Sequence, residues 1–170
     1  FDQLVVSALP LVPKPIVRRF ASRYVAGETL DDGLAAIRAL AAEGAMATLD
    51  VLGESVTRRE QTVATRDEYL RAIDALAKSG LPANVSIKPT AVGLSIDPGL
   101  ARENCLAICR KAAESNLFVR LDMEDTPYTE STLALVLELK KEYPNIGVVI
   151  QAYLRRSLRD LDRLIDAKMN

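Results

Sequence analysis

Histidine and tryptophan are absent from the 170 residues, and cysteine occurs only twice. The lack of histidine removes Ser-His-Asp and Cys-His triads from this stretch, together with the commonest transition-metal ligand. The two thiols, Cys105 and Cys109, stand four residues apart inside a helical pattern. That spacing gives poor disulfide geometry, and two ligands are too few for a structural zinc. Both are expected to be inert and buried, as free cysteines commonly are. An excess of one charge sign is also lacking: 22 Lys and Arg stand against 23 Asp and Glu. There is thus no basic field for nucleic acid and no acidic tail. No apolar run is long enough to span a bilayer, and the first residues lack a signal peptide's layout. Cytoplasmic residence is the expectation. A start at Phe1 and an end at Lys168-Met169-Asn170, with no closing element, read as a segment of a longer protein.

What is present is apolar residues, at 49% of the chain, enough for a core. Two short helices are expected over 3–9 and 16–25, with Pro13 and Pro15 between them. A third helix follows, with Thr29 as cap, Asp32 at its third helical position, and Leu34, Ile37, Leu40 and Ala41 at helical spacing before Gly44. From there a unit repeats. Strands are expected at 45–50, 84–88, 117–122 and 146–151. Helices are expected at 65–79, capped by Thr65 with Glu68, and at 98–115, capped by Asp97 with Pro98 in the first turn. Two more follow at 127–142, capped by Thr126, and at 157–167, opening on Ser157.

The strands are short apolar runs without clean alternation, as in a parallel sheet covered by helices. An alternating β-α order fits a doubly wound sheet or a (β/α)8 TIM-type barrel. No G-x-G-x-x-G follows the first strand, which disfavours the dinucleotide-binding sheet. The fold expected is therefore an α/β barrel. This chain would supply a helical segment over 1–44 and about the first four β/α units over 45–170. A half-barrel by itself would leave strand edges near 45–50 and 146–151 unpaired, an aggregation hazard.

Each expected strand stops at a polar residue: Asp50, Lys88, Asp122 and Gln151. In a barrel the C-terminal strand ends meet at one face, where active sites lie. The third strand, Phe118-Val119-Arg120-Leu121, runs into Asp122, Glu124 and Asp125 before Thr126-Pro127. Glu124 reads as a site residue or as a helix-dipole partner, and Asp125 as the latter. The stretch after Gln151 holds Tyr153, which suits a flat conjugated ring, and Arg155-Arg156, which reads as a solvated helix entry. Three chemistries are open on these residues alone. Asp50, Asp122 and Glu124 are hard oxygen ligands for Mg²⁺. Lys88 at a strand end suits a Schiff base if desolvated. Lys88 also suits an anionic substrate, with Gln151 bonding a cofactor.

Four segments, Thr48–Glu54, Ser86–Lys88, Val119–Asp125 and Val149–Leu154, occur in order and with a spacing that resembles the bacterial monofunctional proline dehydrogenases. Tyr24–Leu30 resembles the segment ahead of that family's barrel, and the likeness runs from about Arg18 to about Arg163. The resemblance implies a (β/α)8 barrel holding non-covalent FAD, oxidation of L-proline to 1-pyrroline-5-carboxylate, and electron delivery to a membrane quinone. It implies that Lys88 binds the proline carboxylate and that Asp50 pairs with an arginine gripping the same group. It puts Asp122 in the polar network around proline and flavin, with Glu124 near it. Gln151 would sit at the flavin's pyrimidine edge and Tyr153 close by. The family's later segments, with arginines for N5 and for the carboxylate, have no counterpart within these residues. A metal is not implied. The alternatives are an aldolase-type barrel using Lys88 and a non-catalytic half-barrel.

Overall fold

The computed structural model describes residue 13, residues 25–53 and residues 56–170. The helix expected at 3–9, nearly all of the one at 16–25, and Glu54 lie outside the described residues. Within them the chain runs α1 (Leu30–Ala42), β1 (Ala47–Asp50), α2 (Arg59–Ser79), β2 (Ala83–Ile87), α3 (Pro98–Glu114), β3 (Val119–Leu121), a 3-10 turn (Thr126–Tyr128), α4 (Thr129–Lys140), β4 (Ile146–Val148) and α5 (Ser157–Asp166).

The four strands form one sheet in the order β1-β2-β3-β4, and every pair is parallel. Strand order follows chain order without reversal. A doubly wound sheet reverses at its switch point, whereas barrel strands pair in sequence. The arrangement is that of part of a TIM-type barrel. Registers such as Asp50↔Ser86 and Leu121↔Val148 bring the C-terminal ends of all four strands to one side of the sheet.

Burial along the central strands is uneven: Asn84 and Arg120 are only partly covered, while the apolar residues on either side of them are buried. Val85, Ile87, Val119, Leu121 and Ile146 are fully buried. Against them pack Tyr69, Ile73 and Leu76 of α2, Cys105, Ile108 and Cys109 of α3, and Val136 and Leu139 of α4. These positions recur at three- and four-residue steps, so each helix turns one stripe to the sheet. Each of the valines, leucines and isoleucines among them contributes about 1.5–3 kcal/mol by leaving water. The two thiols are core residues as expected: burial pushes Cys109 up to about 12 and Cys105 well above the ordinary thiol range.

Helix starts divide by their chemistry. Thr29 caps α1 in a full capping box with Asp32, and Asp97 caps α3 by accepting from Leu100 N at 2.8 Å. The stop expected at Gly80 is present, with a left-handed φ of 63° and its N–H on Leu76 O. Other expectations need correction. α2 begins at Arg59, a turn and a half before Thr65, because the Gln61 side chain takes up the N–H groups of Thr57 and Arg58. Thr65 lies inside the helix and donates its hydroxyl to Gln61 O at 3.1 Å, the back-bond open to a mid-helix threonine. Thr126 does not cap α4: a 3-10 turn intervenes, and no side chain caps either piece. β4 is shorter than 146–151 in its regular pairing, although Val149 N still donates to Leu121 O at 2.9 Å. β1 and β4 form the two sheet edges, and Val148 N of β4 donates to Asn170 O at 3.2 Å.

Candidate functional site

A cavity of about 580 Å³ opens at the C-terminal ends of the strands. That lies within the range of small-molecule and cofactor sites, about 300–1,000 Å³. Its lining includes Lys88 after β2, Asp122, Met123 and Glu124 after β3, and Gln151 beyond β4. Three of the four polar strand ends therefore share one cavity, and the fourth, Asp50, stands behind it against Lys88.

Lys88 Nζ lies 4.0 Å from Asp50 Oδ2, with the two side chains 18% and 28% exposed. At that distance the pair attracts through charge more than through a formed hydrogen bond. Pro89 keeps Lys88 out of the helical region. The turn that follows is tightly knit: Ala91 N donates to Lys88 O at 3.0 Å and Leu94 N to Pro89 O at 2.9 Å. Gly93 takes a φ of 120°, and a Cβ there would meet Leu100 Cγ at 3.0 Å, so glycine is required twice over. Buried Asn104 fastens the same turn to α3 by donating to Val92 O at 2.9 Å.

Asp122 continues the β3 ladder, its N–H donating to Ile87 O at 2.8 Å, and it lines the cavity. Glu124 is differently placed. Thr90 N donates to its Oε2 at 2.7 Å and Thr90 Oγ1 to its Oε1 at 2.6 Å. Both carboxylate oxygens are thereby engaged, and the loops after β2 and β3 are clasped together at the cavity wall. Thr90→Val removes one of these two bonds and keeps the shape. It is expected to lower stability by about 1.5 kcal/mol, at the low end for a hydrogen bond to a charged group. Urea denaturation measures this. Amide exchange, in parallel, should quicken over residues 88–94, and unchanged exchange there would show that the clasp does not hold the loop.

Gln151 donates through Nε2 to Met123 O at 3.1 Å. An amide has two donors and an acceptor, so one N–H and the oxygen remain for a ligand in the cavity. Ser157 opens α5 as expected, and it also donates its hydroxyl to Gln151 O at 2.6 Å, tying the glutamine's backbone to the helix. Tyr153 is 100% exposed and does not line the cavity. Arg156 is not a solvated helix entry, because it is bonded to Asp160 and Glu130. Asp50, Asp122 and Glu124 do not gather into a metal-binding cluster among the described residues. Tyr69, which sequence reasoning passed over, donates from its buried hydroxyl toward Asp50 Oδ1 at 3.0 Å. The signal was available: a tyrosine in a helix's buried stripe needs a partner for its hydroxyl.

Comparison with known proteins gives this geometry a family. The family model described as proline dehydrogenase matches residues 33–169. Proline dehydrogenase 1 of Bacillus subtilis (strain 168) is 35% identical over 150 residues, covering 88% of this chain and 50% of that protein. Proline dehydrogenase of Deinococcus radiodurans is 35% identical over 155 residues, covering 88% of this chain and 50% of that protein. The crystal structure of proline utilization A (PutA) from Bdellovibrio bacteriovorus, inactivated by N-propargylglycine, superposes with a TM-score of 0.80 at 26% identity. That match covers 89% of this chain and 19% of the PutA chain. The chain thus spans about half the length of the curated relatives it matches. A parallel sheet in sequential order, polar strand ends gathered at one mouth, and a family match over residues 33–169 agree: this chain belongs to the proline dehydrogenase family.

Proposed function

We propose that this chain forms the first half of a flavin-dependent barrel that oxidises L-proline to 1-pyrroline-5-carboxylate and passes the electrons to a quinone. The observation that carries the reading is the convergence of Lys88, Asp122 and Gln151 on one cavity in a chain of this family. In the product the ring nitrogen is double-bonded to the carbon that is C5 in proline, the one on the side away from the carboxylate. The substrate must therefore lose a proton from nitrogen and a hydride from C5.

The residues present fit FAD. The cavity pairs the Met123 wall with the amide of Gln151, whose unused donor and acceptor suit the pyrimidine edge of an isoalloxazine. Gln151 and Asp122 would hold that ring system, with Glu124 bracing the wall beside it and Tyr153 outside. When bound, the flavin supplies the hydride acceptor. The rest is placement and electrostatics. The ammonium of Lys88 offsets the desolvation of the proline carboxylate and fixes the ring's orientation. Asp50 steadies Lys88 from behind. Asp122, at the same mouth, accepts from the substrate's nitrogen and favours the pose that turns C5 toward the acceptor. An amide N–H from Gln151 favours negative charge as it develops at the pyrimidine edge.

The remaining β/α units, and the arginines that the family resemblance assigns to the carboxylate and to N5, belong on this reading to residues outside this chain. Among the described residues no helix is long and apolar enough to cross a membrane. A cytoplasmic enzyme meeting its quinone at the membrane surface is the arrangement proposed. The decisive experiment is the spectrum of the full-length protein: it should be yellow, with a flavin band that bleaches when L-proline is added without oxygen. A colourless protein in which borohydride and a carbonyl substrate trap Lys88 would instead identify an aldolase. Gln151→Ala should move the flavin band by several nanometres while the thermal transition stays in place. A lost transition would assign Gln151 to folding.

A further inference from the structure

We propose that Tyr69 is a positioning residue for the substrate site: its hydroxyl aims Asp50, and through Asp50 the Lys88 ammonium, at the cavity. The inference rests on the proline-oxidation reading only for what Lys88 binds, and not for the relay itself. Tyr69 belongs to α2 and is fully buried. Its single hydroxyl proton lies between two acceptors, Asp50 Oδ1 at 3.0 Å and Ser86 O at 2.8 Å. Asp50 ends β1 and Ser86 lies in β2, and the two are register partners. One hydroxyl from the covering helix thus clamps the mouth-side ends of two adjacent strands, two residues before Lys88.

The other oxygen of Asp50, Oδ2, is the one that faces Lys88 Nζ at 4.0 Å. The carboxylate is used from both sides, by a buried donor on one oxygen and a cation on the other. A carboxylate at a strand end rotates about two bonds, and fixing one oxygen fixes where the other points. The hydroxyl cannot exchange roles with its partner. Burial first, and the adjacent Asp50 charge second, push the phenol far above its ordinary range, so Tyr69 stays protonated and remains a donor. Phenylalanine would satisfy the packing of α2 equally well. The choice of tyrosine at this buried position is accounted for by the two acceptors at the sheet's mouth.

The test combines Tyr69→Phe, Asp50→Asn and the double variant in the full-length protein. Two readouts separate a relay from simple core packing. The first is competitive amine labelling of Lys88 across pH, read by mass spectrometry without substrate or turnover. With its facing carboxylate no longer fixed or no longer charged, Lys88 should react about threefold faster near neutral pH in either single variant, and no faster still in the double than in Asp50→Asn alone. The second is steady-state kinetics. KM for L-proline should rise at least about fivefold in Tyr69→Phe with kcat within about twofold, and Tyr69→Phe should add little in the Asp50→Asn background. Unchanged Lys88 labelling in Tyr69→Phe, or effects that simply add, would overturn the relay. A protein without proline oxidation but with the predicted labelling pattern would overturn the function and leave the relay standing. Should Tyr69→Phe fail to fold, Asp50→Asn carries the test, since it keeps an acceptor for the hydroxyl and removes the charge facing Lys88. Labelling unchanged in that variant would sink the proposal.

Discussion

Lys88→Ala in the full-length protein is expected to weaken L-proline binding by about a hundredfold and to leave flavin retention within about twofold. A hundredfold is about 2.7 kcal/mol. Truncating one partner of a buried charge pair costs about 2–5 kcal/mol, and the lower part of that range applies here. The Lys88 side chain is 18% exposed, and other cations of the complete site would share the carboxylate. The asymmetry between substrate and flavin follows from placement. Lys88 leaves a strand next to β1, where Asp50 steadies it, whereas the amide suited to the flavin stands two strands away beyond β4. Lys88→Met is the control, because it keeps the stem's packing and removes only the charge. Steady-state KM, together with flavin absorbance per chain after dialysis, reads the two quantities separately. Equal losses of proline and flavin affinity would mean that Lys88 holds the cavity's shape and does not select the substrate.

The elements that could be read before the structure are those whose signal is local. Asp97-Pro98 and Thr29 with Asp32 announce helix starts because cap and helix lie within one turn. The strand ends Asp50, Lys88 and Asp122 were legible because an apolar run must stop where its covering helices stop, and polarity begins there. Gathering Lys88, Asp122 and Gln151 at one cavity then followed from parallel strands in sequential order. What escaped is non-local. Glu124 reads from sequence as a site residue or a helix-dipole partner, and its lining of the cavity agrees with the former, but its clasp by Thr90, 34 residues earlier, has no local signal. Ser157 was legible as the opening of α5, but not the bond of its hydroxyl to Gln151 O six residues back. Thr65 with Glu68 mimicked a capping box in mid-helix, since the motif is four residues long and the helix's true start is set by Gln61 upstream. Arg156 shows the same limit. A pair of arginines at a helix entry is usually solvated, and only the tertiary fold brings Glu130 of α4 within its reach.

That arginine anchors the largest stability effect expected outside the apolar core. Asp160 is buried, its side chain 2% exposed, inside α5. Arg156 Nε donates to Asp160 Oδ2 at 2.5 Å and Nη2 to Oδ1 at 3.0 Å, a forked pair, while the same guanidinium also bonds Glu130. Arg163 adds a contact to Asp160 at 3.9 Å and one to Glu130 at 3.0 Å. The four charges fasten α5 to the first turn of α4. Asp160→Ala is expected to cost about 2–3 kcal/mol. Breaking a fully buried pair costs about 3–5 kcal/mol, but the Arg156 side chain is 25% exposed and retains Glu130, so water and the second carboxylate recover part of the loss. The pH dependence has a definite sign. The Arg156 guanidinium holds the Asp160 carboxyl below its ordinary value of 3.8. A carboxylate with a depressed value in the folded chain stabilises in full above the unfolded value and loses that contribution as pH falls through the folded one. Urea denaturation should therefore show a constant gap between wild type and Asp160→Ala from about pH 8 down to about 5, narrowing only below about 4. A gap that changed between about pH 5 and 8 would trace the loss to something other than this carboxylate, and a gap unaltered into strong acid would show that packing, not charge, holds α5 in place.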